Sequence, residues 1–378
     1  MWTKGTAIGI IVILSIMPIL PSGKDINEAS IGRQNNDMYY SYEDLTTLLQ
    51  VLHVTYPAIF SYSSLGKTHE GRDIWLAKIS DNVESNESEE PDVLYSGGMH
   101  GNEKPGYQNI IETMISLLEN YTLPYVNASF SIRIRTIVNQ SELFFIPMIN
   151  PDGCEASTRK NRRENNGCFG STILRGVDIG KNFDIQWDDA DEHPFRYIFI
   201  PKTAEDWKFL RTHDNFYLFE RSVVRLPSLD FGSLIKCGVY RGPSPFSEPE
   251  SRAIKQVVED HHILIWLDYH IFGEEIRLPE VPQYNNEDDK GTFYSIAENI
   301  SQVNGYTIFE PPQCLNQSGR GLEWTYTKYT IFSFIIELCP SMDKDVLYDK
   351  EFIEEVFEDH LYVNIYTAER AIEMSSMV

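Results

Sequence analysis

Four residues have the types and placement that metal-assisted hydrolysis requires. His100 and Glu103 stand three apart in GGMHGNEKPG (97–106), His270 ends the apolar run HILIWLDYH, and Glu337 ends IFSFII. The first pair alone reads more readily as solvated loop residues or as a helix start with an incidental histidine than as two ligands of one ion. Zinc needs at least three protein ligands. Two histidines and a glutamate supply three and leave the fourth position to water, and a further glutamate is then the base that takes that water's proton. A carboxylate closing a buried strand is costly unless it is paired or bound to metal, which makes Glu337 the most informative residue of the set. The plainer readings are a salt bridge for Glu337 and a satisfied structural histidine for His270. Rival chemistries lack their signatures: His69 is followed by EGRD rather than completing H-E-x-x-H, no G-x-S-x-G elbow occurs, and GVDIGK (176–181) is one residue short of a phosphate loop, with Asn182 in place of Ser or Thr.

Those residues must be positioned by regular elements. DVLYSG, ELFFIPMIN, HILIWLDYH and TIFSFIIEL are short continuous apolar runs, as expected of strands covered on both faces. Shorter strand-like runs lie around Phe60 and from Ile74 to Ile79. Helical periodicity marks Tyr42 to Tyr56, GYQNIIETMISLLENY, Glu248 to Asp260, Gly291 to Val303 and Lys350 to Glu373. NVESNESEE reads as a solvated loop. The pattern predicts one α/β domain, a mixed and mostly parallel twisted sheet with helices on both faces, in which ligands gather beyond the carboxyl ends of the strands.

The chain has 378 residues, 42% of them hydrophobic, enough for a large core, and a formal charge of −24 that disfavours nucleic acid and anionic membranes as partners. Residues 1–23, with Lys4 ahead of an uncharged apolar stretch and Ser22 and Gly23 behind it, read as a secretory leader, the competing reading being an uncleaved N-terminal anchor. Residues 24–37 form a polar linker and 38–378 the domain. Export makes disulfides the natural use of the cysteines, with Cys154–Cys168 and Cys314–Cys339 as candidate pairs that sequence alone does not fix. Six Asn-x-Ser/Thr sequons, at Asn86, Asn120, Asn127, Asn139, Asn299 and Asn316, permit glycosylation.

From about Tyr40 to Ile372 the sequence resembles the zinc carboxypeptidases of the funnelin type, most closely their secreted bacterial and archaeal members. SLGKTHEGRDIWLAKISDN, GGMHGNE, RKNR (159–162), GVDIGKNF, PFSEPES, the strand ending in His270 and SGRGLEWTYTKYTIFSFIIEL follow in the family's order, with Trp324 thirteen residues before Glu337. The resemblance implies one zinc ion per chain held by His100, Glu103 and His270. It implies Glu337 as general base and Arg162 as the arginine steadying the oxyanion. The expected substrate is a peptide or protein and the expected location is extracellular.

Departures bear on specificity. Gly180 and Lys181 replace the Asn-Arg pair that grips the substrate's C-terminal carboxylate, leaving Lys181 beside Arg162 as the anchor. Leu315 stands where a mobile tyrosine often closes over the substrate. Leu322 occupies the position that members preferring basic residues fill with an acid, and Arg320 lies two residues from it. Asn102 replaces the arginine of animal digestive members. An acidic, aromatic insertion spans about residues 188–232. Alternatives to a carboxypeptidase are a zinc hydrolase of the same fold with altered specificity (endopeptidase, cell-wall peptide hydrolase or deacylase) and a non-catalytic binding module.

Overall fold

The computed structural model describes residues 38–122, 128–164, 175–187, 240–281, 284–309 and 319–377. The leader, the linker, the insertion, Leu315 and the cysteines Cys168, Cys237 and Cys314 lie outside the described residues.

The described residues form an eight-stranded sheet: β1 Phe60–Lys67, β2 Asp73–Ile79, β3 Asp92–Gly97, β4 Glu142–Ile146, β5 Ile263–Ile271, β6 Glu275–Arg277, β7 Thr307–Phe309 and β8 Phe332–Leu338. Their spatial order is β1-β2-β4-β3-β5-β8-β6-β7. The centre is parallel, β4 with β3, β3 with β5 and β5 with β8, while β2 with β4 and β6 with β8 run antiparallel. The mixed, mostly parallel sheet is therefore the expected one.

Alternation along each central strand feeds two apolar layers, because successive side chains of a strand point to opposite faces. Val93, Tyr95, Leu143, Phe145, Ile265, Leu267 and Tyr269 face one layer, and Leu94, Phe144, Ile146 and Trp266 face the other. The first layer is closed by helices α1 Tyr42–Thr55, α2 Lys104–Thr122, α3 Ala128–Val138, α6 Asp289–Asn304 and α9 Lys350–Ser375, and the second chiefly by α5 Pro249–Asp260 and α7 Gly321–Tyr329. The short helices α4 Pro151–Ala156 and α8 Lys344–Leu347 complete the set described. NVESNESEE has no strand or helix, as read from its composition.

Cys154 and Cys339, one from each candidate disulfide, are both buried. No helix among the described residues is long and apolar enough to cross a membrane.

Candidate active site

Three strands and one helix start build the site. β3 ends at Gly97, the chain turns through His100, and α2 begins immediately after Glu103. The turn must pass very close to its neighbours: a Cβ on Gly101 would lie 1.9 Å from the carbonyl carbon of Gly153, and one on Gly106 would lie 2.5 Å from the Tyr269 oxygen. Only glycine allows that approach. It brings His100 and Glu103 against the end of β5, where His270 lies.

His100 Nδ1 is 2.8 Å from Glu103 Oε1, His270 Nδ1 is 2.8 Å from Glu103 Oε2, and the two Nδ1 atoms are 3.1 Å apart. All three residues are buried, and one ligand atom from each lies within 4.8 Å of the others. Their outer nitrogens are anchored on carboxylates: His270 Nε2 lies 2.9 Å from Asp268 and His100 Nε2 lies 3.3 Å from Asp178. Such partners fix the tautomer with its proton on Nε2 and leave the Nδ1 lone pair for an ion. Asp268 is itself held by Ser96 Oγ at 2.8 Å, and Ser96 by the Trp266 indole N–H at 2.8 Å. The donor set, its convergence and its outer carboxylates fit a single zinc ion.

Electrostatics agree. Burial alone would lower the His270 pKa, but Asp268 and Glu103 raise it well above the ordinary value. Burial opposes ionisation of Glu103 too, and the His100 and His270 charges still hold its carboxyl well below the usual range. Without metal these groups answer one another as ion pairs; a bound ion replaces that arrangement, so uptake is linked to proton release.

Glu337 occupies β8 in parallel register with His270, as its direct cross-strand neighbour. Its side chain is 13% exposed, and its Oε1 lies 3.3 Å from Arg277 Nε on β6. Burial raises its pKa, partly offset by Arg277 and His270. A carboxylate with a raised pKa beside a metal-type triad is suited to taking a proton near neutral pH.

The structure divides the basic motif. Arg162, expected at the oxyanion, pairs with Glu70 at 3.2 Å with over a third of each side chain exposed. Arg159 turns inward instead, 3.3 Å from Glu103 and 3.0 Å from Asp178. Lys181 lies in the short turn Ile179–Lys181, and burial, seconded by Arg320, pushes its ammonium down to about 8. Gly180 lies beside the ligands: a Cβ there would stand 3.4 Å from His100 Nε2. Arg320 immediately precedes α7 and reaches Glu323 at 3.6 Å. Leu322 is 2% exposed and packs into the second apolar layer with Phe183 and Trp266.

Asp268, Asp178, Arg159 and Arg277 were not singled out from the sequence. Asp268 alone carried a usable signal: it is two residues before His270, hence on the same face of the strand.

The zinc carboxypeptidase family profile matches residues 45–216 and 235–363. A zinc carboxypeptidase from Saccharothrix mutabilis subsp. capreolus is 31% identical over 175 residues, 43% of this chain and 37% of that protein. Human carboxypeptidase D is 32% identical over 145 residues, 38% of this chain and 10% of that protein. The matched stretch thus spans well under half of either relative. Carboxypeptidase A from Helicoverpa armigera has the same fold, with a TM-score of 0.63 at 21% identity over 92% of this chain and 79% of that one. With the profile spanning most of the sequence and His100, Glu103 and His270 grouped so that they could hold one metal ion, this chain belongs to the zinc carboxypeptidase family.

Proposed function

We propose that the protein is an exported zinc metallocarboxypeptidase that removes C-terminal residues from peptides. The observation that carries the reading is the β5–β8 register, which sets Glu337 beside the His100, Glu103 and His270 triad. A zinc ion held by those three residues would supply Lewis-acid polarisation of the scissile carbonyl and a water of lowered pKa. Glu337 accepts the water's proton and passes it to the leaving amine. Arg159 keeps Asp178 ionised and braces Glu103 from outside. Arg162 is released from Glu70 at little cost, since exposed ion pairs contribute about 0–1 kcal/mol, and its guanidinium is then available for the oxyanion.

Lys181 remains charged at neutral pH and is the anchor left for the substrate's terminal carboxylate, because Gly180 offers no donor. An ammonium lacks the two-pronged grip of guanidinium, so this anchoring is weak. The same glycine supports a second reading, a zinc hydrolase of altered specificity. The leader-like residues 1–23 support export.

The test is a peptide series with free and amidated C-termini. Selective cleavage of free termini is expected. Equal cleavage would transfer the protein to the altered-specificity reading.

A further inference from the structure

The opposite ends of the same strands gather a second set of metal-type donors. Asp92 opens β3, Glu142 opens β4, and His261 lies just ahead of β5. Asp92 and Glu142 are cross-strand neighbours, and both are buried, Glu142 completely. One ligand atom from each of the three lies within 4.8 Å of the others.

What distinguishes this cluster from an ordinary ion pair is which atoms are satisfied. Glu142 Oε1 accepts from Lys78 Nζ and from the Glu87 amide. Asp92 Oδ2 accepts the His262 amide at 2.8 Å. Glu142 Oε2 and His261 Nδ1, by contrast, are buried without a hydrogen-bond partner. The His261 ring packs 4.1 Å from the Phe144 ring, which restrains it. Its Nδ1 lies 4.0 Å from Asp92 Oδ2, too far for a hydrogen bond and close to the span that one ion about 2.0–2.2 Å from each atom would bridge.

An orphaned buried carboxylate oxygen costs free energy that a cation removes. Lys78 answers only part of the local charge, since the carboxylates of Asp81, Glu87 and Glu90 form a further group linked to Glu142 through the Glu87 amide.

We propose that Asp92, Glu142 and His261 form a second divalent-cation site at the amino-terminal end of the sheet. An imidazole with two carboxylates favours zinc or manganese over calcium, which takes oxygen ligands. Lys78, the Glu87 amide and the His262 amide orient the two carboxylates from outside, as second-layer partners do at metal sites. The ion ties the starts of three central strands together. It lies at the far end of those strands from Glu337, so its role is structural.

Equilibrium dialysis of the full chain against Zn2+, with Ca2+ in parallel, tests this by ion count. Wild type is expected to bind two zinc ions, and His270→Ala and His261→Ala one each. His261→Ala should keep peptidase activity within about twofold and lose the rise in melting temperature that the second equivalent gives wild type. His261→Gln serves as a shape-conserving check. A single zinc in wild type, lost on His270→Ala, would overturn the proposal and leave a proton shared between Asp92 and Glu142. A second ion that persists in both His261 variants, or enters only as Ca2+, would also overturn it, by placing the ion on the neighbouring acidic loop.

Discussion

The two ends of the central sheet assemble similar side chains in different ways. At the carboxyl end of β5, His270 is backed by Asp268, and at its amino end His261 faces Asp92 and Glu142. The carboxyl-end histidines have carboxylates on their outer nitrogens, so their inner lone pairs converge on one point. At the amino end the outer partners hold the carboxylates instead, and one of these, Lys78, already compensates Glu142. The first arrangement converges on one point, with the Glu337 carboxylate in register beside it, as a reacting centre requires. The second has no such base, and its cross-strand placement suits it to joining strands. Metal-type residues alone do not distinguish a catalytic pole from a structural one; the orientation of their partners does.

Removing an inner ligand should break the comparison most severely. His270→Ala is expected to abolish zinc binding at the carboxyl end and activity with it, measured by metal content and turnover. Retained zinc at that end would remove His270 from the ligand set.

The basic motif separates next. Arg162→Ala should lower kcat by roughly 10²–10³, the usual cost of an oxyanion donor, with zinc affinity unchanged. Arg159→Ala should instead weaken zinc, because Glu103 and Asp178 lose their shared cation. Paired zinc titrations and kcat values decide between these assignments, and an exchange of the two phenotypes would exchange the two roles.

Asp268→Asn tests the anchoring of the outer nitrogen. An amide holds the ring less firmly and does not raise its basicity, so zinc affinity should fall by about 10–100-fold. An unchanged affinity would make Asp268 a core residue only.

The smallest effect concerns the base. Burial raises the Glu337 pKa and Arg277 is the largest charge opposing that rise. The acid limb of kcat/KM should therefore lie above the ordinary carboxylate range. Arg277→Met removes a cation that favours the charged form, so the limb should move to higher pH. Movement to lower pH would contradict the assignment of that limb to Glu337.

These assignments also show what the sequence could and could not disclose. β3, β4, β5 and β8 were legible because both their faces are covered, so they read as unbroken apolar runs and make their terminal His and Glu conspicuous. Asp268 was hidden inside such a run. Arg159 was hidden among four neighbouring cations, since the direction in which each leaves the loop depends on Glu70 on one side and Asp178 on the other. Helix α3 was missed because SFSIRIRTIV alternates like a strand, and packing against α2 and α9 outweighs that local preference. Strands β6 and β7 have three residues each, too few for any periodicity, yet β6 brings Arg277 to Glu337.

If Glu337 is the base beside an intact metal site, Glu337→Gln separates proton transfer from metal binding when zinc content and turnover are measured on one preparation. The zinc at His100, Glu103 and His270 should be fully retained, with kcat lowered by roughly 10²–10⁴ because an amide cannot accept the water's proton. Turnover close to wild type with zinc in place would contradict it.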